Sequence, residues 1–90
     1  MEVFMKYIMV MFSSRGETMQ FYALIKKFNG FCSIINTPHS LARSCGISVK
    51  ISPNLLEISK QILTNNRLSS FKGIYEINIL NNHDIPTRIY

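Results

Sequence analysis

Cys45 is the residue of this chain with the most chemistry to offer. It stands in the stretch Thr37-Pro38 to Cys45-Gly46, between two segments that read as strands. A thiol becomes a nucleophile only as thiolate, and a free cysteine with a pKa near about 8.5 is mostly protonated at neutral pH, so a working Cys45 needs exposure and nearby positive charge. Four side chains are candidates to stabilise its anion: Arg15, Arg43, His39 and Lys50. Thr37, Pro38 and Gly46 are candidates to support the loop. Threonine before proline suits the start of a short helical turn, and glycine suits its left-handed exit.

Other chemistries are less well supplied. Cys32 falls inside a strand pattern, which predicts a core thiol, with a transient disulfide to Cys45 as the alternative role. Cys32, His39, Cys45 and His83 lack the short paired spacing of a metal site, so no metal and no cofactor is expected. With only five acidic residues and no paired carboxylates, the chain does not read as an acid/base enzyme. The net charge of +5 is scattered, with no basic run longer than Lys26-Lys27, so nucleic acid is not the expected partner.

The elements that position these residues follow from periodicity. Met5 to Phe12 reads as a strand, and from Glu17 the spacing of Phe21, Leu24, Ile25 and Phe28 predicts a helix that stops at Asn29-Gly30. Phe31 to Asn36 reads as a second strand. Ile47, Val49 and Ile51 alternate with polar residues as in a third, with one apolar face. Ser52-Pro53 opens a second helix with Leu55, Ile58 and Ile62 as its buried stripe. Ile74 to Leu80 predicts a fourth strand.

That order gives an α+β fold: a ferredoxin-like βαββαβ plan, an antiparallel four-stranded sheet with two helices on one face. Residues 1–80 make one domain, and residues 81–90, with Pro86 among them, read as a C-terminal tail. A hydrophobic fraction of 47% against 17% charged residues suits a compact chain of this length. Val3 to Phe12 is apolar but too short for a membrane span, which needs about 20 residues. No leader is evident, so a cytoplasmic location is expected.

With the elements placed, Ser14-Arg15, Thr18, Gln20-Phe21, Ile35-Asn36-Thr37-Pro38 and Ser44-Cys45-Gly46-Ile47-Ser48-Val49-Lys50 resemble the selenium/sulfur carrier protein-like family over residues 6 to 77. The resemblance implies that Cys45 carries a persulfide or selenide, that a donor such as a cysteine desulfurase is the partner, and that the setting is a bacterial cytosol. The family commonly has arginine after the proline, where this chain has His39. The alternative reading is a regulatory or assembly module, a homodimer formed through the sheet surface of Phe4, Tyr7, Met9 and Met11.

Overall fold

The computed structural model describes residues 5–41 and 46–90. Five strands form one antiparallel sheet: β1 (Met5–Phe12), β2 (Cys32–Asn36), β3 (Ile47–Ile51), β4 (Phe71–Leu80) and β5 (His83–Arg88). Helix α1 (Arg15–Ile25) joins β1 to β2, and a 3-10 turn at Pro53–Leu55 leads from β3 into helix α2 (Leu56–Asn65). The sheet order is β2-β3-β1-β4-β5. The α+β class stands, while the expected four-stranded plan is corrected to five strands, with β5 at the edge beside β4.

The fifth strand comes from the stretch expected to be a tail. Asn81 and Asn82 both take positive φ, 52° and 64°, and Leu80 pairs with His83. Two consecutive left-handed residues between paired strands make the tight turn whose twist matches a hairpin, and asparagine tolerates that conformation better than most residues. Pro86 does not prevent pairing, because it lies in an edge strand, where a missing N–H can face away from the ladder.

Helix α1 begins two residues before the expected Glu17. The Ser14 side chain caps it by accepting the Glu17 N–H at 3.2 Å. It also ends early. The N–H groups of Lys27 and Phe28 bond to carbonyls three residues back, a tightening that carries Phe28 off the buried stripe and leaves it exposed. Phe31, expected in β2, lies just before that strand and is 66% exposed.

Strand register sorts the side chains onto two faces. Ile8 stands opposite Ile51 and Val10 opposite Val49. With Phe12, Phe21, Ile25, Leu55, Ile62 and Ile74 they form the larger core, beneath the helices, and Cys32 and Ile34 pack against it. The other face has a smaller core of Met9, Met11 and Ile77, packed by Tyr7, Ile35, Leu41, Tyr75 and Ile79. Among the described residues no helix is long and apolar enough to cross a membrane.

Candidate functional site

The candidate site is the connection from β2 to β3. Thr37 continues β2 and donates its backbone N–H to the Gly46 carbonyl at 3.0 Å, closing the base of the loop. Gly46 takes a φ of +95°, a conformation that side-chain-bearing residues rarely adopt. Between them Leu41 N–H bonds to the Pro38 carbonyl at 2.9 Å, one tight turn. Pro38 is buried and His39 and Ser40 are exposed at the tip of that turn.

Two anchors fasten this loop to the face without helices. Leu41 packs against the Met9, Met11 and Ile77 cluster. The Thr37 hydroxyl is 2.6 Å from the Ser48 hydroxyl, which is fully buried opposite Met11. Thr37 was expected to cap a helical turn; its side chain instead bonds across the loop to β3. Ser48 and Leu41 were not singled out from sequence, because a serine alternating with Ile47 and Val49 looks like an outward position. The signal lay in the pairing of two hydroxyl residues, Thr37 and Ser48, on either side of the loop.

Cys45 and Arg43 lie outside the described residues, so the geometry concerns the frame on either side of them. Arg15 is the first residue of α1 and is exposed. The pairing of Met11 with Ser48 puts the end of β1, and hence the start of α1, at the same end of the sheet as Gly46. That helix start is already well occupied: Ser14 accepts from Glu17 N–H, and the Thr18 hydroxyl donates to the Ser14 carbonyl at 2.9 Å. The Glu17 carboxylate accepts from both the backbone N–H and the hydroxyl of Ser70, at 2.8 and 2.6 Å. Those bonds, the Ser70 hydroxyl foremost, hold Glu17 below its ordinary carboxylate pKa.

Lys50 sits elsewhere. Four residues along β3 separate it from Gly46, roughly 13 Å of extended chain, and its ammonium lies over the Tyr7 ring, 5.1 Å from the centroid. Cys32 lies at the end of β2 remote from Thr37, roughly 16 Å along the strand, and packs with the helix-side core. Burial pushes its thiol pKa up, against a smaller downward pull from the charge of Lys26. Among the described residues no three His, Cys, Asp or Glu side chains gather as metal ligands.

The structure also shows how much apolar surface the sheet leaves open. Met9 and Met11 are buried, at 0% and 5% exposure, beneath Leu41 and their neighbours, so this face presents less than its sequence suggests. Phe4 lies outside the described residues.

The model of the family described as Putative Se/S carrier protein-like matches residues 6–76. The chain belongs to that family. The match runs from Lys6 in β1 to Glu76 in β4, so the Se/S carrier-like region takes in both helices and the whole Thr37–Gly46 connection, and β5 lies beyond it. No match was found among curated proteins or among solved structures.

Proposed function

We propose that this protein carries sulfur or selenium on Cys45. The observation that supports it is the loop's frame within a member of the Se/S carrier-like family: a base closed between Thr37 and Gly46, with Pro38 buried and Leu41 seated on the sheet. A carrier thiol has to be presented repeatedly to a donor and an acceptor, and a closed, anchored loop lowers the entropic cost of each presentation.

In the loading step the Cys45 thiolate attacks the outer sulfur of a donor persulfide. The new S–S bond forms as the donor's S–S bond breaks, and the donor leaves as its thiolate. Transfer to an acceptor repeats the step with Cys45 as the leaving thiolate, and selenium in the outer position follows the same balance. No net oxidant is consumed. A cysteine desulfurase of a bacterial cytosol is a donor of the right chemistry. Arg15, at the same end of the sheet, and exposed His39, on the loop itself, are the described side chains available to stabilise the anion; Arg43 is the third candidate.

The test is mass spectrometry after incubation with a cysteine desulfurase and cysteine. The expected result is the addition of one sulfur atom to Cys45 and none to Cys32, whose thiol burial keeps protonated. An unmodified Cys45 beside a labelled control thiol would overturn the proposal. Light scattering on Cys45→Ser separates it from the assembly reading: carriage predicts lost sulfur loading with unchanged mass in solution.

A further inference from the structure

At the end of the sheet away from the Thr37–Gly46 loop, β1 and β3 part company. Their last paired residues are Ile8 and Ile51. Beyond them Ser52 turns its N–H to the Phe31 carbonyl at 2.8 Å, and Pro53 has no N–H to offer, so the chain peels away from β1. Strand β1 nevertheless goes on pairing with β4 as far as Met5 and Ile79. A cleft of about 320 Å³ opens in the gap, lined in part by Lys6, Tyr7, Phe31, Lys50, Pro53 and Glu76. That volume lies at the small end of ligand sites, roughly 300–1,000 Å³.

The lining has a definite chemistry. Its walls are mostly apolar, with the exposed ring of Phe31 and the ring of Tyr7 as flat surfaces. Glu76 is 3.8 Å from Lys6, which matches one charge of each sign. Among the described residues no carboxylate pairs with Lys50, whose ammonium stands over Tyr7. Counted over the lining side chains alone, two lysines stand against one carboxylate. Burial, and then the negative charge of Asp84, raise the Tyr7 hydroxyl above its ordinary pKa, so it remains a proton donor at neutral pH. Successive residues of a strand aim their backbone groups to opposite sides, so one of Lys6 and Tyr7 turns its N–H toward the side that β3 has left.

We infer that this cleft binds a small carboxylate with a flat apolar body, its anionic end on Lys50 and its body between Phe31 and Pro53. Two lysines against one carboxylate in the lining favour a ligand with a single negative charge. The walls reward an apolar body and offer little to a phosphate, whose second charge would find no partner. The site is separate from the Cys45 loop and stands whether or not that cysteine carries cargo.

The experiment is a titration of the full chain with 3-phenylpropionate, followed by the backbone amide shifts of an isotope-labelled sample. Uncharged 3-phenylpropionamide serves as the matched control. Saturable shifts at Lys6, Tyr7, Phe31 and Lys50 are expected for the acid, with the amide and the Lys50→Gln variant each about tenfold weaker, the worth of one charge-assisted hydrogen bond. Lys50→Arg should restore binding. Equal affinity for acid and amide, shifts confined to other residues, or no saturation would each overturn the inference, and the acid-amide comparison holds even if Lys50→Gln fails to fold.

Discussion

The two faces of the sheet are built to different ends. Beneath the helices lies a continuous core centred on Val10, Phe12, Phe21, Ile25, Val49 and Ile74, all fully buried. On the opposite face Met9, Met11 and Ile77 are also buried, and among the described residues they are covered by the loop residue Leu41 and the side chains of neighbouring strands and not by a helix. Burial of apolar area supplies most of folding stability, so the larger core decides whether the protein folds. Among the described residues, Leu41 and the hydroxyl pair of Thr37 and Ser48 join the Thr37–Gly46 connection to the smaller one. The main core and the described ties of the Thr37–Gly46 connection thus lie on opposite sides of the same five strands.

Substitutions that strike one face at a time test this division. Phe21→Ala empties a buried aromatic site that contacts Phe12 at a ring separation of 5.5 Å, and should cost about 3–5 kcal/mol in chemical denaturation. Below its unfolding transition, the alkylation rate of Cys45 should match that of the unaltered protein. Leu41→Ala should reverse the pattern. Its side chain is half-buried, so the cost is about 1–2 kcal/mol, while the alkylation rate of Cys45 changes and the loop's amide protons exchange faster. Thr37→Val, which takes a partner from the buried Ser48 hydroxyl, should cost a further 1–2 kcal/mol or thereabouts with the same signature. If Phe21→Ala altered Cys45 in the folded state, or Leu41→Ala left it untouched, the two faces would not be separable.

The helix-side core was the more legible of the two. Three- and four-residue spacing in α1 and α2, and alternation in β3, are direct consequences of one buried face per element, so Phe21, Ile25, Val49, Ile51, Leu55 and Ile62 could be read from their neighbours alone. The second face depends on contacts between distant segments. Leu41 meets Met9 and Met11 only after β1 and β3 have paired, and no local period records that. The fifth strand was hidden for another reason: Pro86 argues against a strand unless the strand is known to be an edge, while Asn81-Asn82 signals a hairpin less strongly than asparagine followed by glycine. At the site, the loop's limits at Thr37-Pro38 and Gly46 were visible as turn chemistry. Lys50 was not separable from the loop by sequence, because only the strand's length and the Tyr7 ring beneath it show which end its ammonium reaches.

The smallest effect expected distinguishes the faces by pH. On the helix side the start of α1 is tied to the start of β4 by the Glu17 carboxylate, which accepts two hydrogen bonds from Ser70. Its pKa is lowered in the folded protein, so its contribution is present above the ordinary value of 4.5 and is lost as the pH falls through the lower folded value. The opposite face is tied by Thr37 and Ser48, two neutral hydroxyls that do not titrate in this range. Acidification below about pH 4.5 should therefore loosen Ser70 before Thr37. Amide exchange compared at pH 6 and in the acid range should show Ser70 protection falling while that of Thr37, bonded to the Gly46 carbonyl, holds. Glu17→Gln should abolish the difference, since an amide keeps an acceptor oxygen but carries no charge to lose. Parallel loss at both residues would mean that the faces open together and that the sheet transmits strain between them.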